Sequence, residues 1–319
     1  MNEESSPEQP EQPEQRPELS SPTMIEWIFR NQRELRSGWR LSIYVLFTVV
    51  IVLVLGTAAA ALRLPLPPQR MDALALLTQE LILAAAAFGT AALMGRFEGR
   101  SMGVYGLPAR RAFRSDFWQG MLWGFAMITA IILLIRAFGG FSFGNLAQSG
   151  GAIVRYAALW GLVFLAVGFF EEFFFRGYTQ FTLTTGIGFW PAATILSALF
   201  GMSHLMNPGE GPVGALSVFV VGMFFCFTLK RTGSLWLAVG LHAAFDWGET
   251  FFYAVPNSGV VAPGHLFHSS LHGPKWLTGG TVGPEGSVMA FAVMAGAFAM
   301  FHFCYPRPKP APDITMQSD

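Results

Sequence analysis

Long uncharged apolar runs, one after another, constrain this chain more than any other feature. Residues 41–62 hold no Asp, Glu, Lys or Arg over 22 positions, and one helical crossing of a bilayer takes about 20 apolar residues. Similar runs follow at 73–94, broken by Glu80, at 117–135, and from Tyr156 onward, where Glu171 and Glu172 interrupt the run. Residues 177–209 have none of the four charged types. At 33 residues this stretch is too long for a single crossing, and the glycines and proline of 186–191 mark a turn within it. Pro191 then suits the first turn of the next helix. Runs at 211–229, 234–254 and 286–305 complete the series. The expected architecture is all-α, a polytopic membrane protein of about eight transmembrane helices. In hydrocarbon only closed hydrogen-bonding structures survive, and helices close their own.

The charges agree with this expectation. Charged residues are 13% of the chain, about half of the roughly 25% usual in soluble domains. Thirteen of the forty lie within the first 40 positions. An ordinary soluble enzyme, a basic-patch nucleic-acid binder and a disordered protein are excluded. Residues 1–23 repeat Pro-Glu-Gln and read as a disordered tail, with no apolar stretch of the signal-peptide kind. Residues 24–40 set Trp27, Ile28 and Phe29 beside Arg30, Arg33, Arg36 and Arg40, the pattern of an interfacial basic segment. The membrane domain is expected over 41–306, with its motif-bearing core at about 115–250, and 307–319 as a cytoplasmic tail. Arginines and lysines collect before the first run, between the second and third, between the sixth and seventh, and after the eighth. By the positive-inside rule both termini are cytoplasmic and the 255–285 loop lies on the far side. Arg outnumbers Lys 17 to 3, which fits a GC-rich bacterial genome and hence a multi-pass protein of the cytoplasmic membrane. Cys226 and Cys304 sit inside apolar runs, so neither a disulfide framework nor a CxxC metal site is expected.

Ionisable groups inside a membrane are costly and need a reason. Six of them form three short clusters with their neighbours: Glu171-Glu172-x-x-x-Arg176, Phe200-x-x-x-His204 and His242-x-x-x-Asp246. Glu171 and His204 each lie 16 positions from the turn at 187–188. An antiparallel helix pair therefore brings both to one depth, roughly 20 Å from the tip at 1.5 Å per residue. His242 is about ten residues along the seventh span, roughly 15 Å deep. His242 and Asp246 share a helix face, as do Glu172 and Arg176, which can form an ion pair. Phe200 stands one turn before His204 and can wall the site. A carboxylate in a water-poor site is a usable general base near neutral pH, and imidazoles can hold water or stabilise an oxyanion. The same groups offer zinc two histidines and a carboxylate. Buried polar side chains also serve as interhelical glue, the plainer reading for Glu80 and Glu249. His265, His268 and His272 have metal-like spacing but no acid beside them.

The three clusters, EEFFFR at 171–176, FGMSH at 200–204 and HAAFD at 242–246, resemble the motif set of the CPBP family, the CAAX proteases and bacteriocin-processing enzymes also called Abi. The resemblance implies an eight-helix intramembrane endopeptidase related to type II CAAX prenyl endopeptidases. It implies that Glu171 activates water together with His204. His242 and Asp246 then line the oxyanion side, and Glu172, Arg176 and Phe200 support the site. Asp246 departs from members with Asn there, since an ionised Asp cannot donate to an oxyanion. It is protonated, or orients His242, or belongs to a metal site. No cofactor is favoured. If zinc is present, its ligands are Glu171, His204 and His242. The expected partners are membrane lipids and a membrane-associated protein or peptide substrate, with no nucleic acid. The alternatives are a proton-coupled transporter, or a non-catalytic scaffold or immunity protein of the same family. A transporter usually shows internal repeats, and no repeat is visible here.

Overall fold

The computed structural model describes residues 30–31, 34–67, 72–207 and 209–306. Each expected apolar run becomes a helix. In chain order these are α1 (Ser37–Ala61), α2 (Ala73–Glu98), α3 (Ser115–Ala137) and α4 (Gly151–Glu172). α4 continues through a π-helical stretch, Phe173–Tyr178, into α5 (Thr179–Ile187). Then come α6 (Phe189–His204), α7 (Pro212–Thr232), α8 (Trp236–Trp247) with a π turn at Gly248–Phe252, and α9 (Val288–Cys304). Strands are confined to two-residue pairs: β1 (Arg30–Asn31) with β2 (Glu34–Leu35), and β3 (Phe141–Ser142) with β4 (Ser270–Leu271).

Local chemistry sets the boundaries. Asp72 caps α2 by accepting from the Ala75 amide at 3.0 Å, and left-handed Gly99 ends it. Pro212 opens α7 and left-handed Gly233 closes it. Ser287 caps α9 through the Ala290 amide at 3.2 Å. The turn expected at 187–188 falls at Gly188, whose φ of 84° lets α5 reverse into α6.

Among the described residues, five helices are long and apolar enough to cross a membrane: α1, α2, α3, the continuous Gly151–Ile187 rod, and α7. The protein is an all-α polytopic membrane protein. α6, α8 and α9 are shorter. For α8 the reason is visible, because every residue from Trp236 to Ala244 is buried. A helix wrapped in protein does not have to match the thickness of the lipid.

α8 is the axis of the bundle, packed between α3, α4 and α7. Its contact with α3 is very close. A Cβ on Gly120 would lie 2.1 Å from the Leu237 carbonyl oxygen, and one on Gly124 2.0 Å from that of Leu241. Gly120-x-x-x-Gly124 is the small-residue spacing by which membrane helices bring their backbones together. Around this contact Met127, Ile128, Ile131, Leu237, Leu241 and Met294 form the main apolar core.

One expectation changes. Arg40, read as part of an interfacial segment, is buried in the first turns of α1 and pairs with Glu98 at 2.7 Å. The 1–23 tail, residues 24–29 and 32–33 of the 24–40 segment, and the 307–319 tail lie outside the described residues.

Candidate active site

Glu171 and Glu172 are the last residues of α4, and the π-helical stretch begins directly after them. The backbone leaves helical geometry at Gly177, with φ −84° and ψ −114°. A Cβ there would lie 2.8 Å from the ring of Phe173, which is fully buried and stacked on Phe88 at 4.0 Å. π segments of this kind collect at functional sites because they re-aim neighbouring side chains. The second π turn, Gly248–Phe252, follows Asp246 in the same way.

Adjacent helical residues point about 100° apart, and the two glutamates part company accordingly. Glu171 lines a cavity of about 320 Å³. Glu172 is fully buried behind it and accepts from Arg176 Nη1 at 3.3 Å. This is the expected ion pair one helical turn apart. Glu172 does more than brace. Its Oε1 lies 2.9 Å from His242 Nδ1. A carboxylate only accepts, so His242 carries a proton on Nδ1 and turns Nε2 toward the cavity. There Nε2 meets Glu171 Oε2 at 3.6 Å and Asp246 Oδ2 at 3.4 Å.

His204 closes α6 and lines the same cavity, as do Phe200, His242 and Asp246. Its Nδ1 donates to the Phe200 carbonyl at 2.9 Å, which leaves Nε2 as the free face of the ring. Phe200 stands edge-on to His204 at 4.8 Å and lies under the Arg176 guanidinium at 4.1 Å. Phe225 of α7 stacks on the His242 ring at 5.3 Å. The three sequence clusters, carried by separate helices, therefore meet at one cavity. Within it the direct neighbour of Glu171 is His242.

Sequence reasoning underrated some residues and missed others. Glu80 lines the cavity, with Glu171 as a charged neighbour and one carboxyl oxygen lacking a hydrogen bond. Its position as the lone acid in an apolar run was the signal. Glu249 is fully buried beside the site. Asn257, Ser258, Val260, Ala262 and Glu285 reach the cavity from the 255–285 loop, and nothing in their local pattern announces it. Burial pushes the Glu285 carboxyl up to about 8, with Asp246 adding to the shift.

Zinc was the alternative expectation for Glu171, His204 and His242. Among the described residues no three His, Cys, Asp or Glu side chains converge as a metal ion requires. As arranged, the trio does not fit the ion, and no step below runs through a metal. His265, His268 and His272 do not converge on one either. His265 Nδ1 bonds the Ala262 carbonyl at 2.9 Å, and His272 Nε2 lies 2.9 Å from Ser270 Oγ.

Fold and site together define a class: a polytopic helical membrane protein whose buried carboxylates and imidazoles face one internal cavity. Sequence comparison adds a likeness over part of the chain. Residues 153–248 match the family model described as Type II CAAX prenyl endopeptidase Rce1-like. All three clusters fall inside the matched residues. The match begins within α4, so α3 lies outside it although the resemblance was expected to start near residue 115. No curated protein matches this chain.

Proposed function

We propose that this cavity hydrolyses a peptide bond of a membrane-associated protein or peptide, with Glu171 as the general base. One observation carries the reading: Glu171, His204, His242 and Asp246, from three helices, all line one internal cavity. Glu171 Oε2 is buried from solvent yet has no hydrogen-bond partner. A lone pair in that state is placed to take a proton from water. The water oxygen then bonds to the scissile carbonyl carbon. His204, with Nε2 free, holds the water, and His242, as the imidazolium with protons on both ring nitrogens, donates from Nε2 to the oxygen that becomes negative. Glu171 returns the proton to the leaving amine as the carbon–nitrogen bond breaks. Glu172 fixes the proton on His242 Nδ1, and Arg176 holds Glu172 in place. The i to i+4 approach of Asp246 to His242 supports an orienting role for this carboxylate.

The reading is metal-free. It places the protein in a bacterial cytoplasmic membrane with both termini inside, as the charge pattern supports. The test is a panel of quenched fluorescent apolar peptides, incubated with full-length protein in liposomes. Wild type should cleave at least one, and Glu171→Gln none. Stoichiometric zinc in active protein, lost together with activity in Glu171→Gln, would overturn the metal-free mechanism. Cleavage by Glu171→Gln at the wild-type rate would overturn the base.

A further inference from the structure

Glu80 of α2 lies outside residues 153–248 and outside the three clusters, and the hydrolytic steps leave it unused. It is 7% exposed and lines the cavity. Interhelical glue would bond to another helix. Among the described residues, the hydrogen bond that Glu80 makes runs along its own helix instead: Gln79 Nε2 donates to Glu80 Oε1 at 3.1 Å. Its Oε2 is hidden from solvent and has no hydrogen-bond partner.

Four carboxyls line the cavity: Glu80, Glu171, Asp246 and Glu285. Asp246 meets His242 Nε2 at 3.4 Å, and Glu285 accepts from the Ser258 amide. Of the four, Glu80 and Glu171 are the two that keep an oxygen both hidden from solvent and unbonded. α2 packs on α4, so these two acids reach one cavity from neighbouring helices. Apart from them and Gln79, the wall that α2 and α4 give the cavity is apolar: Leu76, Trp160, Val163, Phe164 and Val167. A carboxyl set in such a wall and bonded to no cation is least costly as the neutral acid. Glu171 differs, because His242 Nε2 lies 3.6 Å from it. The donor pattern at Glu80 agrees. Oε1 accepts, as a carbonyl oxygen does, and Oε2 is left to hold a proton.

We propose that Glu80 holds a proton at Oε2 and is the second proton carrier of this cavity, serving the amine product. The proposal rests on the proteolytic reading of Glu171. Hydrolysis of a peptide bond sends both protons of the water to nitrogen, since the products are a carboxylate and an ammonium ion. Glu171 delivers the first as the carbon–nitrogen bond breaks, which leaves a neutral amine and a neutral carboxylic acid. In an apolar cavity these two need a relay before either becomes charged. Glu80 Oε2–H gives its proton to the new amine nitrogen, and Glu80 then takes the proton of the new carboxyl group. Glu80 ends as it began, and both products leave in their charged, water-soluble forms.

Labelling tests the proton without asking for cleavage. Dicyclohexylcarbodiimide is apolar and adds to a protonated carboxyl group. The full chain in detergent micelles, wild type and Glu171→Gln, is treated at neutral pH and the adduct is located by mass spectrometry. Glu80 should carry it in both. Turnover tests the relay. Glu80→Gln should lower kcat for the peptide panel by about tenfold or more, with KM and thermal midpoint unchanged. Glu80→Ala should be equally slow, and added formate, a small carboxyl that fits the vacated space, should restore its turnover. Should Glu80→Gln not fold, Glu80→Ala carries the test. A Glu80 free of adduct overturns the proposal. So does turnover by Glu80→Gln at the wild-type rate, or a loss in Glu80→Ala that formate does not relieve. If Glu80 takes the adduct but wild type cleaves none of the panel, the proteolytic reading fails and Glu80 stands as the resident proton carrier of the cavity.

Discussion

Two part-buried carboxylates on this molecule have opposite surroundings. Glu98, at the end of α2, is saturated. Arg40 reaches it with two nitrogens at 2.9 and 2.7 Å, Arg100 at 3.1 Å and the Tyr105 hydroxyl at 3.2 Å, and the Tyr178 hydroxyl donates as well. Glu171, lining the cavity, has an oxygen hidden from solvent with no hydrogen-bond partner, its nearest charged neighbour being His242 Nε2 at 3.6 Å. Its neighbours share the deficit: Glu172 Oε2, Arg176 Nε and Nη2, and Glu80 Oε2 are likewise unbonded. A buried charge costs least when every lone pair is met. Glu98 satisfies that rule and serves as a clamp. Glu171 violates it, and such a violation is expected where a reactant supplies the missing partner.

The comparison breaks or sharpens by mutation. The largest effect belongs to the unsatisfied cluster. Glu171→Gln and His204→Ala should each lower peptide hydrolysis by about 10² to 10⁴, with the thermal midpoint in detergent unchanged or raised. A collapse of the midpoint in Glu171→Gln would mean that this carboxylate is structural after all. The saturated cluster should behave in the opposite way. Glu98→Ala removes the carboxylate that accepts from two nitrogens of Arg40, a side chain only 3% exposed. Removing one partner of a buried pair costs about 3 to 5 kcal/mol, to be read from chemical or thermal unfolding. An unfolding curve matching wild type would show that the clamp holds nothing.

A smaller effect concerns pH and the loop acid Glu285, which lines the cavity. The Glu285 carboxyl lies at about 8 in the folded protein against 4.5 for its ordinary value. Between those pH values the folded state holds a proton that the unfolded chain has released. Stability therefore falls as pH rises through that window. Glu285→Gln should flatten the fall, with little change below the lower bound. An identical pH slope in mutant and wild type would contradict the burial assigned to this group.

Much of this arrangement was legible in the sequence, for physical reasons. An apolar run of about 20 residues has few fates in a membrane protein, so the all-α polytopic class and the place of each apolar helix could be read directly, while five of them among the described residues are long enough to span. The meeting of Glu171 and His204 followed from equal spacing about the glycine turn, because a helix pair turns residue counts into depth. The role of Glu172 as the partner of His242 Nδ1 was not legible. It depends on the π turn and the Gly177 kink, and helical periodicity assumes neither. Glu285 and Ser258 stayed hidden because irregular loops carry no period from which to compute a position. Arg40 misled for a related reason. Its neighbours look interfacial, while its partner Glu98 lies 58 residues away in sequence.

The smallest effect tests whether the two carboxylates are independent. Tyr178 donates to Glu98, follows the Gly177 kink, and comes six residues after Glu172. Its ring stacks on Tyr44 at 4.4 Å and meets Tyr105 edge-on at 5.0 Å. Tyr178→Phe removes one hydroxyl and keeps those ring contacts. A hydrogen bond to a charged group is worth about 1.5 to 3 kcal/mol. Arg40, Arg100 and Tyr105 still satisfy Glu98, so the loss should fall near the lower bound. If the clamp only holds the helices together, midpoint and activity should both shift slightly. If it also fixes the kink that aims Glu171, kcat should fall several-fold with KM unchanged, and Tyr105→Phe, which also loses a bond to Glu98 but lies outside the kinked segment, should lower kcat less. A drop in Tyr178→Phe as deep as in Glu171→Gln, at an unchanged midpoint, would end the division. Glu98 would then belong to the site, and its full complement of donors would be the means by which the first two helices, outside the family match, hold the catalytic glutamate in register.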